Sequence, residues 1–165
     1  MKNLYIDFDG VIVDTITPLY AALELEGIDK LDEIHSREFY RRFDWHKLLI
    51  ETPPLNDSIE CIKKLMNSDK YDVAILTHVN STKEAIEKID FLHRYFDDIS
   101  IVIVPREASK TSVVHVKGAI LVDDYSGNLD DWQSKGGIPI RFNQELEAHG
   151  YPVINKLDQL LSMDL

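Results

Sequence analysis

The stretch Leu4-Tyr5-Ile6-Asp7-Phe8-Asp9-Gly10-Val11 decides how the chain is read. An apolar run from Leu4 to Phe8 meets two acids and then a glycine. The run is short and does not alternate between polar and apolar residues, which is the pattern of a strand covered on both faces. Val73 to Leu76, Ile99 to Val104, Ala119 to Val122 and Ile138 to Phe142 have the same character. Segments of helical period lie between these runs. The pattern predicts an α/β fold in which helices sandwich a mostly parallel sheet.

The length, 165 residues, suits one compact domain with room for a small insertion. Hydrophobic residues make up 44% and charged residues 28%, which predicts a folded protein rather than a disordered one. With 29 acids against 18 basic residues the formal net charge is −11, so a nucleic-acid polymer is not expected as a partner. Small anions remain open, because a few local cations suffice to bind them. No apolar run approaches the roughly 20 residues that span a bilayer, and no membrane association is expected. The N-terminal segment reaches Asp7 too early for a signal peptide. Cys61 is the only cysteine, which removes an intrachain disulfide and a thiolate metal cluster and reads as a small buried helix residue. These features together predict a cytoplasmic protein.

Far more chain separates the first two strands than one crossover helix needs. Residues 15–54 are therefore expected to form a small helical insertion, with residues 1–14 and 55–165 making the α/β core. Within the insertion one helix is predicted from Pro18 to Glu26, stopped by Gly27, and a second from Ser36 to Ile50. Asp57-Ser58-Ile59-Glu60 and Ser81-Thr82-Lys83-Glu84 read as capping boxes opening two core helices. The first presents Ile59, Ile62, Leu65 and Met66, the second Ala85, Ile86, Ile89 and Leu92. A short packing helix is expected from Asn155 to Leu161.

Ligands of parallel α/β sheets bind outside the carboxyl ends of the strands. Asp7 and Asp9 end the first strand, Thr77 follows Leu76, and Asp123 and Asp124 follow Val122, while Lys110 lies on the loop leading to the fourth strand. Four carboxylates on one rim repel one another unless a cation joins them. A hard divalent ion with oxygen ligands, Mg²⁺, is the natural partner. Lys110 adds a positive point charge and Thr77 a hydroxyl. Such a group suits a phosphoryl moiety, whose transfer depends on positioning and charge neutralisation. Each residue alone has a bland reading: a strand-end Asp is usually a helix cap or turn residue, and a lone Lys a solvated one. The joint pattern is a much rarer coincidence.

Asp7-Phe8-Asp9-Gly10-Val11 resembles the first motif of the haloacid dehalogenase-like (HAD) hydrolases. Thr77 is similar to their second motif, Lys110 to the third and Asp123-Asp124 to the fourth, in order along nearly the whole chain. Asp14 also resembles the continuation of the first motif in some members. The resemblance implies a three-layer Rossmann-like fold with a small helical cap after the first strand. It implies that Asp7 attacks phosphorus, and that Asp9 protonates the leaving oxygen and then activates water. Mg²⁺ would be held by Asp7, by the Asp9 backbone carbonyl and by Asp123. Asp124 would support the ion through water, with Asn128 hydrogen-bonding outside it. Thr77 and Lys110 would hold phosphoryl oxygens.

A departing halide needs no proton, so Asp9 favours a phosphoester over carbon–halogen cleavage. A receiver-type phosphoacceptor is weak, because the third strand runs into Val104-Pro105 without an Asp. A non-catalytic HAD-like binding module is opposed by the intact acids. The expected partner is a small phosphorylated metabolite. Overall size and the small insertion resemble the 5′(3′)-deoxyribonucleotidase branch, which makes a nucleoside monophosphate the leading substrate and a sugar phosphate the alternative. His78 and Tyr125 depart from that branch. Phe43, Trp45, His46 and His78 are candidates for the substrate pocket, although Phe39 and Phe43, four residues apart, also fit packing of the insertion onto itself.

Overall fold

The computed structural model of the chain describes residues 1–146 and 150–165. Six parallel strands form one sheet: β1 (Lys2–Ile6), β2 (Tyr71–Val79), β3 (Ser100–Pro105), β4 (Ile120–Asp123), β5 (Ile138–Phe142) and β6 (Val153–Ile154). Their order is β3-β2-β1-β4-β5-β6, so β1 is flanked by β2 and β4, and the strand order reverses there. The last strand pairs only Arg141 with Val153 and Phe142 with Ile154, too short a run to show in the apolar pattern.

The continuous apolar runs serve two cores. Leu4, Ile6, Ile75, Ile120 and Val122 join the larger cluster with Phe91 and Leu92. Leu76 and Leu121 join the other, under Leu129 and Trp132. Successive residues of a strand point to opposite faces, so strands covered on both sides are apolar throughout. Each fully buried large side chain contributes on the order of 1.5–3 kcal/mol of transfer free energy.

Three helices follow β1: α1 (Ile16–Leu25), α2 (Glu33–Arg42) and α3 (Trp45–Glu51). Gly27, at φ +71°, follows the first of them. The single helix expected from Ser36 to Ile50 is two helices, because Asp44 accepts from the Lys47 amide at 3.0 Å and starts α3 afresh. Leu19, Leu23, Phe39 and Trp45 form a small core within the insert, and the Phe39 and Phe43 rings pack there in a tilted pair with centroids 5.4 Å apart. Leu48 and Leu49 of α3 reach the main core.

The core helices are α4 (Ser58–Met66), α5 (Thr82–His93) and α6 (Ser126–Ser134). Cys61 is fully buried on α4. Asp57 makes no capping bond there; it adopts φ +55° and pairs with Lys156 at 3.0 Å instead. Ser81 does cap α5, accepting from the Glu84 amide at 3.1 Å. The face that α5 buries differs from the apolar one expected. Glu84, Lys88, Phe91 and Leu92 are buried, and Ile86 is half exposed. Glu84 and Lys88 lie inside because they pair with each other, and the ammonium is shared with a second carboxylate, as described below. The C-terminal segment is a 3-10 helix over Leu157–Ser162. Among the described residues no helix is long and apolar enough to cross a membrane.

Candidate active site

The turn after β1 depends on Gly10. It has φ +73°, and a Cβ there would lie 2.1 Å from Oδ2 of Asp124. Only glycine lets the backbone pass so close to that carboxylate. The Asp7 amide donates to the Val122 carbonyl at 2.9 Å, which ties the end of β1 to β4. The reversal of strand order at β1 opens a crevice there, as in other open α/β sheets.

Lys110 Nζ donates to Oδ1 of Asp7 and to Oδ2 of Asp123, both at 2.7 Å, and all three groups are buried. Asp123 ends β4. Its Oδ1 accepts from the Tyr125 amide at 2.9 Å and its Oδ2 from Asn128 Nδ2 at 2.9 Å. Asp7, Asp123 and Asp124 each present an oxygen within 4.8 Å of the others. Burial first, then Asp123, pushes the Asp7 carboxyl up to about 7. Burial, then Asp7 and Asp123, pushes Asp124 up to about 8. Burial opposes the charge on Lys110, but the two carboxylates hold its pKa above the ordinary lysine value.

One ammonium therefore leaves the acids undercompensated. An all-oxygen donor set with surplus negative charge fits a hard divalent cation, with no nitrogen or sulfur donor to select a softer metal. The carboxylate of Asp9 is directed elsewhere, so its expected part in holding an ion rests on its backbone carbonyl. Asp124 contributes its own carboxylate to the cluster. If Mg²⁺ is present at about 100 times its dissociation constant, mass action adds about 2.7 kcal/mol. For a chain of this size that is a rise of about 5–10 °C in Tm. Asp123→Asn should remove most of this rise in a thermal melt, and an unshifted melt of the unsubstituted protein would count against the metal site.

Asp9 is held by two groups. Thr15 Oγ1 donates to its Oδ1 at 2.6 Å, and Lys88 Nζ to its Oδ2 at 2.7 Å. Lys88 is fully buried and also pairs with Glu84 at 2.9 Å. It donates further to Thr77 Oγ1 at 3.2 Å and to the His78 carbonyl at 3.0 Å. Burial opposes its charge, but Asp9 and Glu84 outweigh that and keep its pKa above the ordinary lysine value. Sequence reasoning missed Lys88, Glu84 and Thr15. The available signal was the spacing of Glu84, Lys88, Phe91 and Leu92, which places them on one face of a helix.

A cavity of about 420 Å³ opens over this group. Asp7, Asp9, Asp124 and Asn128 line it, as do Trp45 and His78. Thr77 is buried beneath, under Lys88. His78 is partly buried, which lowers its pKa, and its Nε2 bonds the Ala108 carbonyl at 2.8 Å. Phe43 packs between Phe39 and Trp45, and His46 pairs with Glu87 at 2.8 Å on the outside. Neither of these two lines the cavity. Asp14 accepts from the Thr17 amide and hydroxyl at the start of α1.

This sheet order, with a helical insert after β1, is the fold of the haloacid dehalogenase-like hydrolases. A HAD phosphatase from Thermococcus onnurineus superposes with a TM-score of 0.64 at 19% identity, over 98% of this chain and 97% of that one. A D,D-heptose 1.7-bisphosphate phosphatase from B. bronchiseptica, complexed with magnesium and phosphate, gives 0.61 at 17% identity, over 98% and 99%. A HAD-superfamily hydrolase of subfamily IA from Geobacter sulfurreducens gives 0.63 at 14% identity, over 98% and 95%. No protein-family model and no curated protein matches the sequence. Identities this low establish a shared fold, and function has to be argued from the site.

Proposed function

We propose that the protein is a Mg²⁺-dependent phosphatase acting on a small phosphomonoester. The observation that carries this reading is the convergence of Asp7, Lys110, Asp123 and Asp124 at the foot of the cavity, with Asp9 anchored beside them. Asp7, Asp123 and Asp124, with the Asp9 carbonyl, would hold Mg²⁺, whose charge would offset that of the phosphoryl oxygens. The magnesium and phosphate in the B. bronchiseptica enzyme lend this support from a protein of the same fold.

Asp7 attacks phosphorus as the ester bond breaks, giving an aspartyl-phosphate. Asp9, which must first carry a proton on one of the oxygens that Thr15 and Lys88 hold, passes it to the leaving oxygen. Asp9 then takes a proton from water, which attacks the aspartyl-phosphate and frees Asp7 and inorganic phosphate. Lys110 holds a phosphoryl oxygen, Thr77 supports the Lys88 ammonium from beneath the cavity, and Asn128 fixes Asp123. Thr15 and Lys88 keep the Asp9 carboxylate beside the reacting ester, which a halide leaving group would not require. The insert of residues 15–54 serves as a cap over the cavity. The cytoplasm, rich in Mg²⁺ and phosphorylated metabolites, is the compartment we propose.

Of the two substrate classes, a sugar phosphate meets more polar lining, while Tyr125, 60% exposed, is a lining ring open to a nucleoside base. Stacking a base needs a free aromatic face. Trp45 is buried, its Nε1 donates to the Tyr40 carbonyl at 3.1 Å, and Lys88 lies 5.3 Å from its ring. Lys30 covers the Tyr20 ring at 5.2 Å. Initial rates on nucleotides, sugar phosphates and p-nitrophenyl phosphate, with Mg²⁺ and with EDTA, test the proposal. Sugar phosphates should exceed the generic ester, and chelation should stop turnover. Hydrolysis undiminished by EDTA would overturn the metal-dependent reading, and a clear nucleotide preference would restore the nucleotidase alternative.

A further inference from the structure

The cavity has an acidic foot and a basic wall. Lys30, between α1 and α2, and Arg37 of α2 line it from the insert, and Arg106, directly after β3, lines it from the core. The chain carries a net charge of −11, so three cations on one cavity run against its overall balance. Their charges are also poorly compensated. Lys30 and Arg106 form no ion pair among the described residues, and Arg37 reaches only Glu107, at 3.9 Å. Glu33 is the one acid among the insert residues that line the cavity. Arg106 acts electrostatically on both Tyr40 and His78, which places it between insert and core. Its amide is fixed to the Val79 carbonyl at 3.0 Å, so the rigid end of β2 positions it.

We infer that this wall selects a phosphomonoester carrying a second, non-reacting anionic group, a phosphate or a carboxylate. This rests on the phosphatase reading above and specifies its substrate. The reacting phosphoryl group would be neutralised at the foot by Lys110 and by the Mg²⁺ that Asp7, Asp123 and Asp124 would hold. That leaves Lys30, Arg37 and Arg106 to meet charge at the far end of the ligand. Arginine forks suit phosphate and carboxylate geometry, and the Tyr40 and His78 beside Arg106 add polar surface. A cavity of about 420 Å³ holds a molecule of sugar-bisphosphate size. Lys30 and Lys88 take up the Tyr20 and Trp45 faces, and Tyr125 is the exposed lining ring that remains, so charge is the main means of recognition.

The test compares matched substrates in the unsubstituted protein, Arg37→Gln and Arg106→Gln, with Mg²⁺. Glucose bisphosphate is set against glucose monophosphate, and phosphoglycerate against glycerol phosphate, which separates a phosphate from a carboxylate as the second anion. Charge-assisted hydrogen bonds of about 1.5–3 kcal/mol predict a preference of roughly 10- to 100-fold in kcat/KM for one compound that carries the second anionic group. The preference should collapse toward unity in Arg106→Gln and fall in Arg37→Gln, mainly through KM. Both residues are exposed, so melting curves should stay in place. Turnover of p-nitrophenyl phosphate without discrimination in either pair would overturn this inference and leave the phosphatase reading standing. Absence of turnover on every ester would overturn the phosphatase reading instead. Calorimetric binding of the same four compounds would then decide the wall's role: a compound with the second anionic group must bind at least about tenfold more tightly than its partner and lose that advantage in Arg106→Gln. Equal binding overturns it.

Discussion

Lys88→Met is expected to lower the stability of the fold by about 3–5 kcal/mol, the usual cost of removing one partner from a buried ion pair. The ammonium sits in the core between Asp9 at 2.7 Å and Glu84 at 2.9 Å. Methionine preserves most of the side-chain volume and can still touch Phe8 and Trp45, whose rings lie 5.3 Å from the ammonium. The loss is therefore one of charge rather than packing. Glu84 suffers most, because only 1% of it is exposed and burial already raises its pKa. Without Lys88 it must remain charged in a low dielectric or take up a proton. Thr77 Oγ1 and the His78 carbonyl lose a donor as well. Urea unfolding measures the effect. The double variant Lys88→Met/Glu84→Gln should regain a substantial part, since its amide carries no charge to strand. A single-variant loss below about 1 kcal/mol would show that water reaches this group, against its burial here.

Asp7→Asn is expected to reduce phosphatase turnover by at least about a thousandfold while the protein stays folded. An amide cannot attack phosphorus, and groups that act as one unit lose most of their effect when any member is removed. Stability should hold because Lys110 keeps its 2.7 Å contact with Asp123. The substitution also relieves the repulsion that, after burial, helps to raise both Asp7 and Asp124. Rates on p-nitrophenyl phosphate, with a parallel melting curve, measure the two effects separately. Turnover within tenfold of the unsubstituted protein would remove Asp7 as the nucleophile and with it the proposed aspartyl-phosphate.

These two residues differ in how far the sequence exposed them. Asp7, Asp123 and Asp124 were legible because each directly follows a short apolar run, and a parallel sheet sends all such ends to one rim. Lys110 was legible from its place before β4. Lys88 was hidden in a helix whose charged residues ordinarily face water, and Ile86 and Ile89 suggested a different buried face. What turned α5 was a contact with Asp9, 79 residues earlier in the chain. Helical period alone reports which residues share a face, and only the partner across space decides which face goes in.

The insert shows the same limit on a smaller scale. Its aromatic residues were visible, but Asp44 divided the expected helix, and packing turned Phe43 away from the cavity while Trp45 and His78 came to line it. Arg106 drew no attention as a lone exposed residue after a strand. The cavity gave it meaning by bringing Lys30 and Arg37 alongside.

The sequence by itself determined the α/β class, the mostly parallel character of its sheet and the acids at the strand ends. Those features are written in short-range patterns: apolar runs, helical period and the residues that stop them. The tertiary structure decided the buried Asp9–Lys88–Glu84 group, the two-helix form of the insert's second half and the basic wall. The buried group and the basic wall bring together residues far apart in the chain, and burial makes an unpartnered charge costly, whereas the break in the insert is a local cap by Asp44.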